Sequence, residues 1–176
     1  MKTDVIRVTG SSEDIKKAFA ITKRYCDYMG ISKDRALNVR HLVEESFGVI
    51  GDIIEGFSSD FWIESTKDSD CRICFAMIGK LNKTQKQELI RNSTKSINSS
   101  SALTNWIMNF LGKSLAEQES KNKGDERIWT LSKYKNGIDE STWNGMGKSI
   151  ITRLADDICI EMHDDKIKFV VIKNTI

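Results

Sequence analysis

Residues 145–173, GMGKSIITRLADDICIEMHDDKIKFVVIK, carry the reading that decides the fold. Ile150, Ile151 and Leu154 recur at helical spacing, which predicts a helix over residues 143–154 that is entered through Gly145 and Gly147. Two apolar runs follow, 158–162 and 167–172, on either side of the polar turn HDDK, the pattern of an antiparallel hairpin. A helix that feeds directly into a hairpin needs a sheet face on which to bury its apolar stripe.

Working back along the chain, residues 128–134 read as a strand. Leu103, Ile107, Phe110, Leu111 and Leu115, with Trp106, sit at helical spacing, whereas AEQESKNKGDE (116–126) is too polar to pack and reads as a flexible loop. Residues 82–100 are rich in Lys, Gln, Asn, Ser and Thr, with one short helix over 85–90, so mobility is expected there. The apolar runs 60–64 and 71–78, joined by TKDSD, form a second hairpin.

Before that hairpin, Ser32 can cap a long helix bearing Leu37, Leu42, Val43, Phe47, Ile50 and Ile54 and stopping at Gly56. Ser11, with Asp14 three residues on, can cap another that bears Ile15, Phe19, Thr22, Cys26 and Met29 and stops at Gly30. Residues 4–8 alternate as a short strand. The order predicts an α/β fold, a two-layer sandwich in which a mixed, mostly antiparallel sheet is covered on one face by helices. At 176 residues the chain fits a single domain, 1–176, with a polar, mobile, lid-like insertion at about 81–126.

Composition excludes several classes. With 27 basic and 25 acidic residues the net charge is +2, too small a field to draw the protein non-specifically onto nucleic acid or an anionic membrane. The first residues, MKTDVIRVTGSSED, lack the apolar core of a signal peptide, and no window approaches the roughly 18 apolar residues that cross a bilayer, so a cytoplasmic location is expected. Cys26, Cys71, Cys74 and Cys159 are too scattered for a disulfide framework. Cys71 and Cys74 spell C-x-x-C, but in a strand residues three apart point to opposite faces, which argues against zinc or redox work. The absence of proline removes any rigid linker. Trp62, Trp106, Trp129 and Trp143 fall in segments with their own apolar periodicity, so packing is expected of at least three.

Gly145, Gly147, Lys148 and Ser149 are candidates for holding a phosphate, because free backbone N–H groups and the dipole at a helix start attract anions and Lys148 adds charge. A plain glycine turn into a helix accounts for the same residues. A P-loop is excluded because Thr142 stands where that motif needs its first glycine. Glu44 and Glu45 could supply a general base, yet Arg40 and His41 stand four residues before them, as they would on a solvated helix edge. His41 and Glu45 share a face but lack further ligands, and His163 sits in a turn, so no metal site is expected.

Two stretches resemble the ATPase domain shared by sensor histidine kinases and anti-sigma-factor serine kinases. GMGKSIITRLADDICIEMHDDKIKFVVIK resembles that family's closing segment: a Gly-x-Gly opening a helix, a Leu-x-Asp near its end, then two strands. LVEESFGVIGDI on the long helix is similar to the motif in which a Glu activates water or a hydroxyl and an Asn one turn later holds magnesium. The resemblance implies ATP as a ligand, Glu44 or Glu45 as the base, and a sigma factor or an antagonist as protein partner, with a homodimer as a further candidate.

The chain departs from the family pattern at two points. The Asn position falls on Gly48 or Val49, neither of which offers a hard cation a lone pair, which argues against magnesium. No Asp-x-Gly-x-Gly, the family's adenine-reading loop, occurs between Met77 and Ile128. The favoured expectation is therefore a degenerate, ATPase-like regulatory domain acting through protein binding, with weak nucleotide binding at most. The alternatives are an active serine kinase or ATPase, with Asp52 taking over the metal, and a structural dimerisation module whose cleft is filled by the 103–115 helix.

Overall fold

The computed structural model describes residues 1–66, 70–77, 81–93, 102–121, 126–136, 149–164 and 166–175. Six strands form one sheet: β1 (Ile6–Val8), β2 (Ser59–Glu64), β3 (Asp70–Met77), β4 (Arg127–Thr130), β5 (Asp157–His163) and β6 (Lys166–Asn174), in the spatial order β1-β2-β3-β6-β5-β4. Every pairing among them is antiparallel, so the expectation of a mixed sheet is corrected. The hairpins β2–β3 and β5–β6 join edge to edge through β3 and β6, where Phe75 lies opposite Phe169. That central pairing ties the two halves of the chain together.

The described helices are α1 (Ser12–Tyr28), α2 (Lys33–Ile53), α3 (Lys83–Ser93), α4 (Ala102–Lys121), α5 (Leu131–Lys135) and α6 (Ile150–Leu154). One sheet face carries Val8, Phe61, Ile63, Ile73, Phe75, Ile158, Ile160, Phe169 and Val171, which join the buried residues of α1, α2, α4 and α6 in one core. Phe75 is its hub, with ring centroids 5.1 Å from both Phe47 and Phe61 and 6.4 Å from Phe169. The opposite face holds a small cluster of Trp62, Cys74 and Val170, with Lys2 Nζ 4.4 Å over the Trp62 ring.

Local chemistry sets the helix ends. Ser11 Oγ accepts from the Asp14 N–H at 3.2 Å, while Asp14 Oδ2 reaches past it to accept from the N–H and hydroxyl of Thr9 at 2.9 and 2.8 Å. These bonds, led by the Thr9 hydroxyl, hold the Asp14 carboxyl below its usual range. Gly30 takes φ +65 to turn the chain from α1 to α2, a conformation that costs glycine little. Ser32 stands at the N-cap of α2 but makes no side-chain cap bond.

Within the polar middle, the two described helices are longer than expected. Asn82 Oδ1 accepts from the Gln85 N–H at 2.8 Å and Gln85 Oε1 from the Asn82 N–H at 3.0 Å, a reciprocal cap that starts α3 at Lys83, two residues before the expected helix. α4 runs to Lys121, six residues into the stretch expected to be a loop, because Glu, Gln and Lys favour helix and Glu117 pairs with Arg127 Nη1 at 2.8 Å. Conversely, the strand expected over 128–134 ends at Thr130, where Asp157 takes the backbone and hydroxyl of Ser132 at 2.9 and 2.8 Å and turns the chain into α5.

Candidate functional site

Of the expected site residues, Glu44 and Glu45 lie on α2 and Ser149 stands at the N-cap of α6, and these two helices pack together. Successive residues of an α-helix are about 100° apart, so Glu44 and Glu45 cannot share one face. Glu44 is exposed, with Oε2 3.8 Å from His41 Nδ1, so the acid that His41 approaches is Glu44 and not Glu45 as the spacing predicted. Arg40 does not pair with Glu44 either; its guanidinium lies 4.6 Å over the Phe19 ring. Glu45 is half-buried at the border of the core face.

The positions one turn further on differ just as sharply. Gly48 is exposed, and a Cβ built there would meet nothing within 4 Å, whereas Val49 is buried in the core. Asp52, the suggested substitute metal ligand, is exposed seven residues after Glu45, about 10 Å along the helix axis. Among the described residues no three His, Cys, Asp or Glu side chains gather as a metal site.

Ser149 takes the N-cap position of α6 with φ −74 and ψ 135, but its side chain makes no capping bond. Its carbonyl accepts from the Thr152 hydroxyl at 2.9 Å and from the Arg153 N–H at 3.3 Å. Gly145, Gly147 and Lys148, and Trp143 with them, lie outside the described residues. Of the other indoles, Trp62 and Trp129 are buried, and Trp106 lies against Trp129 with centroids 3.8 Å apart.

On its inner side α2 meets α4. Leu103, Ile107 and Leu111 of α4 are almost wholly buried, and the crevice that Ile107 and Leu111 leave against Ile50 of α2, its C-cap Ile54 and Phe169 of β6 is only about 10 Å³ and apolar throughout. A space of that size holds about one water, and these walls offer it no polar partner.

On its outer side α2 meets α1 across a groove of about 440 Å³. The floor is Phe19, Ala36, Leu37 and the buried Cys26; the rim carries Lys16, Lys23, Lys33 and Arg40 against a single acid, Asp27. Lys23 pairs with Asp27. Leu37, expected in the core, is 51% exposed here, because the buried arc of α2 is centred on Leu42, Val43, Ser46 and Ile50 and Leu37 points away from it. The signal that could have found the groove is the row Lys33, Leu37, Arg40 on one helical face, a leucine flanked by cations.

Cys71 faces the helix-covered core and Cys74 the opposite cluster, as the strand alternation requires. Burial pushes Cys26 and Cys159 up to about 11 and Cys74 up to about 12, so all three are protonated at neutral pH. Among the described residues no helix is long and apolar enough to cross a membrane. The chain matches no family model and no curated protein.

Proposed function

We propose that this chain is a degenerate relative of the histidine-kinase-type ATPase architecture, a regulatory domain of the anti-sigma type that acts by binding a protein and does not turn over ATP. The observation that supports a domain without turnover, and that the dimerisation-module alternative shares, is the seating of α4 on the inner side of α2. Ile107 and Leu111, with Ile50, Ile160 and Phe169, line an apolar crevice between α2 and the sheet of about 10 Å³. The two acids are consistent with it: Glu44 turns toward His41 in solvent, and the residue one turn after Glu45 is the buried Val49. A base without a metal-holding partner cannot assemble the charge-neutralising site that phosphoryl transfer needs.

Calorimetric titration of ATP and ADP, with and without magnesium, tests the reading alongside a phosphate-release assay on the same protein. The expected outcome is no phosphate release and no magnesium-dependent heat. Micromolar binding abolished by Lys148→Ala, still without turnover, would make the protein a nucleotide-dependent regulator. Magnesium-dependent turnover lost in Glu45→Ala would replace the reading with an active kinase or ATPase.

A further inference from the structure

The groove between α1 and α2 has the size of a ligand site, about 440 Å³ against a usual range of about 300–1,000 Å³. Its charge is one-sided on a chain that is otherwise balanced, with four cations and one carboxylate on the rim. The carboxylate is taken by Lys23, and the Arg40 guanidinium lies 4.6 Å over the Phe19 ring, so Lys16, Lys33 and Arg40 line the groove with no acid among the described residues paired to them.

The cations are also spaced. α1 and α2 are joined by a short turn and run antiparallel, which sets Lys33 beside the C-terminal end of α1 and Arg40 beside Phe19 in its middle. Lys33 and Arg40 are two helical turns apart, about 10 Å along the axis, with Ala36 and Leu37 between them. A small anion spans only one of these positions. A helix does span both: acids at positions i and i+7 are separated by the same rise, and apolar residues at i+3 and i+4 fall on Ala36 and Leu37 between them.

We infer that the α1–α2 groove is a docking site for an acidic amphipathic helix of a partner protein, with carboxylates at i and i+7 on Lys33 and Arg40 and apolar anchors at i+3 and i+4 on the floor. This deepens the protein-binding reading above and rests on it, while its own test is independent of nucleotide.

The test is selection of a displayed library of random peptides, each about three helical turns long, on the immobilised full chain. The expected result is enrichment of the acid–apolar–apolar–acid pattern, with affinity falling at least about tenfold on the Lys33→Glu, Arg40→Glu protein and weakening as salt rises. Lys33→Glu places an acid in the first turn of α2, where the helix dipole favours it, so that single variant stays folded and gives the same direction if the double variant does not. Enrichment of basic or uncharged peptides, or equal binding to the charge-reversed proteins, overturns the groove. ATP turnover in the phosphate-release assay would remove the regulatory reading, and the peptide result would still decide the groove.

Discussion

The two sides of α2 were built by the same helix and ended differently. The inner side presents Leu42, Val43, Phe47 and Ile50, and among the described residues it meets the sheet and α4 across an apolar crevice of about 10 Å³. The outer side presents Lys33, Leu37 and Arg40, and meets α1 across an open, cation-rimmed groove. Helix–helix packing alone does not fill both: α1 buries Ala18, Ile21, Tyr25 and Cys26, and the groove remains along its outer side against α2. An apolar cleft next to a hydrophobic helix tends to be filled by the chain itself, whereas a groove ringed by like charges stays open, because closing it would desolvate cations without pairing them.

The inner side carries the largest expected effect. Ile107→Ala removes a fully buried side chain next to an existing void, so denaturant unfolding should show a loss of about 2–5 kcal/mol, with the upper end marking a crevice that does not collapse. A loss below about 1 kcal/mol would mean that α4 is not packed as described and would break the contrast between the two sides.

A smaller effect is expected at the groove floor. Burial holds the Cys26 thiol up from its ordinary 9.0 to about 11, so the folded state favours the neutral form. A group raised in this way contributes stability that is complete below pH 9 and is lost as the pH climbs toward 11. Urea midpoints should therefore be flat near neutrality and fall across that window, and Cys26→Ser should make the fall shallower. The other three thiols and the Tyr25 phenol, raised in the same direction by burial, add to the fall.

The smallest stability effect is expected at Leu37→Ser, within about 0.5 kcal/mol, because the side chain is half-exposed and points away from the core. The same substitution should weaken peptides selected on the groove by about tenfold. A large stability loss instead would mean that the groove floor is part of the core.

Much of this was legible before any coordinates. The caps at Ser11 and Asp14, the stop at Gly30, both hairpins and the opposed C-x-x-C thiols follow from short-range chemistry that needs only a few neighbouring residues. The errors share a cause. Leu37 and Ile50 look alike on a helical wheel that counts apolar residues, and only the position of α1 and the sheet tells which one is buried. The loop expected after residue 115 is helical to Lys121 because Arg127, distant from it in a linear reading, supplies a partner for Glu117. The strand expected through residue 134 ends at Thr130 because Asp157, on the neighbouring strand, captures Ser132.

The candidate site divides along the same line. The sequence by itself determined the residue types: two adjacent acids without an Asn behind them, and a Gly-x-Gly-Lys-Ser before a helix. It also determined the sheet-forming hairpins, since alternation along a strand is a property of the strand alone. Only the tertiary structure decided that α4 fills the inner side of α2 and that the outer side is left open with its cations facing one way. Both are properties of spaces between elements, and their size depends on how helices distant in the chain settle against a common sheet, which no local pattern encodes.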